Sequence, residues 1–212
     1  VTIEGLTLAE LERDALTEIV NIGVSRAASG LRKMIGDQVL LSVPSIEVVS
    51  QQRAARLISE REVSDLVAVR QDFSGPFSGR ALLIFPEANS LELVHAVTGG
   101  ELSRDDAIEM ESEALCETGN IILNACLATM ANMLKRSLTM TLPEILRGTS
   151  ASLFDVGKDN AGQGLVLFLY IDFAVRSRDI RGYIAMIMDL PSLEVLKELL
   201  GEFIARVVGD DA

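Results

Sequence analysis

Apolar residues recur along this chain with two periods, and the switching between them outlines its elements. Over 7–35, Leu8, Leu11, Ala15, Ile19 and Ile22 return every three or four residues, the spacing of one helix face. Thr7 stands as an N-cap with Glu10 three residues on, as in a capping box, and Gly36-Asp37 closes the segment. Residues 38–43 then turn β-prone and end at Pro44, and 51–60 reads as a short polar helix. Residues 63–73 and 79–85 have strand character and are joined by the turn Ser74-Gly75-Pro76, which predicts a hairpin. Pro86 takes the first position of a helix over 87–97, closed by Gly99-Gly100.

The same order then returns after an acidic linker over 101–106. A long helix is predicted over 107–137, β-prone residues over 139–143, strands over 150–156, 164–175 and 178–190, and a last helix over 192–208 behind Pro191. A loop over 157–163 separates the first two of these strands. Laid on each other without a gap, 14–46 and 113–145 share eight identities at an offset of 99. Further on, Asp72-Phe73 matches Asp172-Phe173 at 100, and Ser90-Leu91-Glu92 matches Ser192-Leu193-Glu194 at 102. The chain is a duplicated module. The expected fold class is α+β, with a largely antiparallel sheet of about six strands and two long helices, related by a pseudo-two-fold axis. One domain is expected, made of repeats over roughly 7–100 and 107–208.

A net charge of −12 argues against nucleic acid, because phosphate binding needs clustered Lys and Arg. No uncharged apolar run approaches the roughly 20 residues of a membrane span, so no membrane insertion is expected. No basic segment before an apolar one opens the chain, so no signal peptide is expected, and the chain begins at Val1 as if trimmed. Cys116 and Cys126 lie about 15 Å of helical rise apart, too far to bridge, and read as the free thiols of a reducing, cytoplasmic compartment. The one histidine, His95, leaves no His-rich metal site and reads as a packed or partly exposed side chain.

The duplication matters most where it keeps polar residues. Asp14, Glu18, Asn21 and Pro44 recur as Glu113, Glu117, Asn120 and Pro143 with identical gaps. Positions i, i+4 and i+7 share one helix face, so each triad is a polar stripe. Asn mid-helix costs about 0.5 kcal/mol or more against Ala, yet it stands at the same place in both copies. The plain structural alternatives are a solvated face, or an Asn satisfied by a neighbouring loop; the prolines read as ending or bending a strand. No Ser–His or Cys–His pair and no phosphate-cradling Gly-rich loop is present. Asp14 and Glu18 alone supply too few ligands for a metal. A carboxamide both donates and accepts, so it can hold a water in line with an electrophile without acting as a base. A carboxylate one turn away can seize a cation on another protein. This chemistry suits a half-site that a partner completes, acting on an already labile bond.

At these residues the sequence resembles the CheC family of chemotaxis phosphatases, with the related CheX and FliY proteins. Their pattern is Asp or Ser, three residues, Glu, two residues, Asn, twenty-two residues and Pro. The first copy fits it in full; the second departs from it at Glu113. Two sites in one chain resemble CheC, where a CheX-like protein would carry one and a FliY-like protein would add a switch domain. The resemblance implies a substrate, the aspartyl-phosphate of a CheY-like receiver domain. It implies that Asn21 and Asn120 orient the attacking water, that Glu18 and Glu117 pair with the receiver's lysine, and that Asp14 and Glu113 support the contact. It implies Mg²⁺ on the receiver and no cofactor on this chain. CheD is implied as a further partner, and the alternative function is a non-catalytic adaptor that binds CheD or a receiver.

Overall fold

The computed structural model describes residues 8–36, 38–43, 45–98, 103–156, 164–175 and 178–209. Each half supplies the same run of elements. The first gives α1 (Glu10–Ile35), β1 (Val39–Ser42), β2 (Ile46–Ser50), α2 (Gln51–Ser59), β3 (Leu66–Ser74), β4 (Gly79–Pro86) and α3 (Glu87–Thr98). The second gives α4 (Arg104–Met133), β5 (Thr139–Met140), β6 (Glu144–Gly148), α5 (Ser150–Leu153), β7 (Leu165–Val175), β8 (Arg178–Met188) and α6 (Leu190–Gly209).

The eight strands among the described residues form one antiparallel sheet, and they fill six positions. β4 and β8 pair at the centre, with Leu82 opposite Ala185. β3 and β7 flank them. At each edge two short strands lie in tandem, and each edge belongs to the other half. Thus β1 and β2 run along β7, while β5 and β6 run along β3. The registers are equivalent: Ile46 faces Leu169, and its counterpart Ile145 faces Val69. The expected sheet and its two-fold character are present, with each outer position split in two. Pro143 sits at one split, between β5 and β6, where a residue without an N–H suits an edge. Pro44 falls outside the described residues, as do the expected cap Thr7, Asp37, Gly99-Gly100 and the loop 157–163.

Alternate residues of the strands feed two cores. Val67, Val69, Phe73, Leu83, Phe85, Leu167 and Leu169 face α1, α3, α4 and α6. Leu66, Ala68, Leu82, Ile84, Val166 and Phe168 face the short α2 and α5. α1 and α4 cross with Gly23 against Cys126 and Gly30 against Ile121, so they run antiparallel. α4 contains a stretch, Met110–Met133, long and apolar enough by length and composition to cross a membrane. Here that apolarity goes into packing: Leu115, Ile122, Leu123, Cys126, Leu127 and Met130 are buried.

Several boundaries differ from the sequence expectation. α1 starts at Glu10, where Ala9 donates its N–H to the Glu12 carboxylate at 2.8 Å. α4 starts at Arg104 because Ser103 caps it, accepting from Asp106 N–H at 3.2 Å, so the end of the expected linker is helix. The strand expected over 150–156 is instead a helical turn. Thr149 caps it, accepting from Ser152 N–H at 3.3 Å, as Ser50 caps α2 one repeat earlier. The strand lies just before, over Glu144–Gly148, and its counterpart Ile46–Ser50 was likewise not expected.

Candidate functional site: two helix stripes at the sheet edges

α1 presents Asp14, Glu18 and Asn21 along one outward stripe, and α4 presents Glu113, Glu117 and Asn120 along another. In both, the two carboxylates are exposed and the Asn is half-buried where the helix meets the sheet. None of the four carboxylates pairs with another described residue. Because the helices run antiparallel, the stripes lie toward opposite ends of the pair. Each stripe is headed by an exposed apolar side chain one turn before its first acid, Leu11 (57% exposed) and Met110 (41%).

The two Asn residues are held differently. Asn21 is tied to the backbone of Val43 at both ends of its carboxamide. Val43 N–H donates to Oδ1 at 3.1 Å, and Nδ2 donates to Val43 O at 3.2 Å. Val43 precedes Pro44, and a residue before proline is biased to extended backbone, which turns its N–H and C=O to one side. The spacing from Asn to Pro therefore has a structural meaning in the first copy: the Asn brackets the corner between two edge strands.

In the second copy this bracket is absent. Leu142, the counterpart of Val43, is 86% exposed, where Val43 is 2% exposed. The corner is pinned instead by Thr141, which exchanges two hydrogen bonds of 2.9 Å with Asp72, through Thr141 N–H to Asp72 O and Asp72 N–H to Thr141 Oγ1. Asn120 Oδ1 accepts from Asn124 Nδ2 at 2.6 Å and from Gln71 Nε2 at 3.3 Å. Gln71 Nε2 also donates to Thr141 O at 2.9 Å. Asn120 Nδ2 donates to no other described residue. Beside this cluster the Arg70 guanidinium grips Asp72 at 2.9 and 2.7 Å and holds its carboxyl below the usual carboxylate range.

Sequence reading had not singled out Gln71, Asn124, Thr141 or the Val43 backbone. Two signals were present. Gln71 is the one polar residue in the inward series Val67, Val69, Gln71, Phe73, and Asn124 lies one turn beyond Asn120 on the same face.

The stripes carry no nucleophile, and no group of three or more His, Cys, Asp or Glu among the described residues could hold a metal. Two cavities, of about 620 and 420 Å³, are lined by residues of neither stripe. The sites are outward surfaces of free carboxylate and oriented carboxamide, a form that suits a macromolecular rather than a small-molecule partner.

Residues 11–48 match the family described as CheC-like, and residues 67–163 match that described as chemotaxis phosphatase CheX. The first stripe falls within the first match and the second within the other. In these two stretches of sequence, and in its fold, the chain is similar to the CheC, CheX and FliY proteins. Among named relatives, the CheY-P phosphatase CheC of Bacillus subtilis is 22% identical over 201 residues, 92% of this chain and 96% of CheC. The flagellar motor switch phosphatase FliY of the same organism is 24% identical over 140 residues, 65% of this chain but only 36% of FliY. Among solved structures, Thermotoga maritima FliY superposes with a TM-score of 0.71 at 16% identity, covering 93% of this chain and all of that one. CheX in its CheY-BeF3-Mg complex from Borrelia burgdorferi gives 0.50 at 16% identity, covering 82% and 99%. At such identities the structural likeness speaks for the fold alone.

Proposed function

We propose that this chain hydrolyses the aspartyl-phosphate of a CheY-like receiver domain in the cytoplasm. Water attacks the phosphorus, the bond to the aspartate oxygen breaks, and inorganic phosphate and a free carboxylate result. Asn21 and Asn120 orient the water, each in its own half-site. Glu18 and Glu117 pair with the receiver's active-site lysine, and Asp14 and Glu113 support the docked face. The metal is the receiver's Mg²⁺, and this chain brings no cofactor of its own. The observation that carries this reading is the doubled juxtaposition of a free, exposed Glu with an oriented carboxamide one turn on. Positioning of this kind supplies several kcal/mol when the bond is already labile. The names of the relatives support the same substrate, since B. subtilis CheC is a CheY-P phosphatase and B. burgdorferi CheX was solved with CheY.

The test is the decay of a phosphate-labelled, Mg²⁺-loaded CheY receiver with wild type, Asn21→Ala, Asn120→Ala and the double variant. Acceleration is expected in wild type and its loss in the double variant; full activity in the double variant overturns the mechanism. One observation favours a second reading at the first copy. Asn21 already spends both ends of its carboxamide on Val43, as a purely structural Asn would. Binding of a receiver or of CheD without turnover would mark the chain as an adaptor.

A further inference from the structure

We propose that Gln71 is the positioning residue of the second half-site, turning Asn120 so that its Nδ2 faces the partner; this role stands on the phosphatase reading above. The orientation is fixed by a chain of obligations. Thr141 O is a backbone carbonyl and can only accept, so the Gln71 atom facing it at 2.9 Å is Nε2. That same nitrogen faces Asn120 at 3.3 Å and Asn124 at 3.4 Å, so both present Oδ1 to it. Asn124 Nδ2 adds a second donor to Asn120 Oδ1 at 2.6 Å. With its oxygen held inward by two donors, Asn120 keeps its N–H groups for the other side.

Gln71 is placed to do this and little else. It is 1% exposed, its Oε1 is buried without a partner among the described residues, and it interrupts an otherwise apolar sheet face. A buried amide half-satisfied in this way is destabilising relative to an apolar residue. The other half has that apolar residue: Ile171 stands at the equivalent place and is buried. The helix above changes in step. Gly119 lies where α1 has Val20, and a Cβ there would come within 2.5 Å of Val69, two residues from Gln71 on the same face. So α4 settles onto β3 where a side chain would hold it off, and Asn120 reaches Gln71. The strand that carries Gln71 belongs to the first half, so each half contributes to this site.

The experiment isolates each half-site in the full chain. Labelled CheY decay is measured across receiver concentrations in the Asn21→Ala background, where the second site works alone, and in the Asn120→Ala background, where the first does. Gln71→Ile installs the residue the fold already accepts at that place; Gln71→Glu keeps the shape but offers only acceptors when ionised. In the Asn21→Ala background both are expected to lower kcat about tenfold with KM unchanged, the scale of a lost orientation. In the Asn120→Ala background Gln71→Ile is expected to change neither. If Gln71→Ile matches its parent in the first background, or slows both backgrounds alike, the positioning role is overturned and the phosphatase reading stands. If neither parent accelerates decay, both are overturned.

Discussion

Replacing each Asn by Ala separates a structural Asn from a free one, before any activity is measured. Asn21→Ala removes two hydrogen bonds to the Val43 backbone, at 3.1 and 3.2 Å. Each such bond is worth about 1 kcal/mol net, and Val43 is buried at the corner of two edge strands. Against this loss of about 2 kcal/mol, Ala regains about 0.6 kcal/mol of helix propensity. The net expectation is a loss of about 1.4 kcal/mol, or about 3–6 °C in Tm for a chain of this size. Asn120→Ala removes only an acceptor. Gln71 Nε2 keeps Thr141 O, and half-buried Asn124 keeps access to water. The same propensity gain then leaves that variant within about 0.5 kcal/mol of wild type. From the sequence, both substitutions look near neutral; the Val43 contacts change that expectation for Asn21 alone. Urea unfolding of both single variants, followed by far-UV circular dichroism, measures the difference. An Asn21→Ala variant as stable as wild type, or equal losses in the two, would refute the reasoning.

Two further outcomes follow from the packing. Gly23→Ala puts a Cβ within 2.9 Å of the Cys126 backbone, so α1 and α4 must part, at about 1–3 kcal/mol; Gly30→Ala meets only the Ile121 side chain at 3.2 Å and should be neutral or stabilising, which thermal unfolding of the pair will show. Glu111 is buried, accepts from Ser90 and pairs with the more exposed Arg147 at 2.6 Å, so Glu111→Ala should lose about 2 kcal/mol, the worth of hydrogen bonds to a buried carboxylate; Glu87, exposed and 3.8 Å from the same Arg147, should lose under about 1 kcal/mol when truncated in the same denaturant assay.

The long helices, the hairpins and the duplication were legible because each has its own period. The polar stripes were legible because they break that period twice, at one offset. The edge strands Ile46–Ser50 and Glu144–Gly148 were not, because they are five residues long and follow a proline that reads as a strand's end. α5 was missed for a related reason: it is one turn, set by the Thr149 cap rather than by periodicity. The amide cluster was out of reach because Gln71 and Asn120 meet only through strand exchange between the halves. Nothing local in either segment announces the other.

That exchange also explains how two copies of one stripe came to differ. In both halves the corner between the tandem edge strands must be held against the sheet, or the edge frays. In the first half the site's own Asn does the holding, through Val43. In the second, Thr141 locks directly to Asp72, and Gln71 takes the Thr141 carbonyl. Relieved of the corner, Asn120 keeps its Nδ2 uncommitted among the described residues, and Leu142 projects into solvent where Val43 is buried. Three differences at matched positions, Val20 for Gly119, Ile171 for Gln71 and Val43 for Leu142, are thus one change seen from the helix, the sheet and the corner. A duplicated chain can make such a change in one copy while the other still guards the fold.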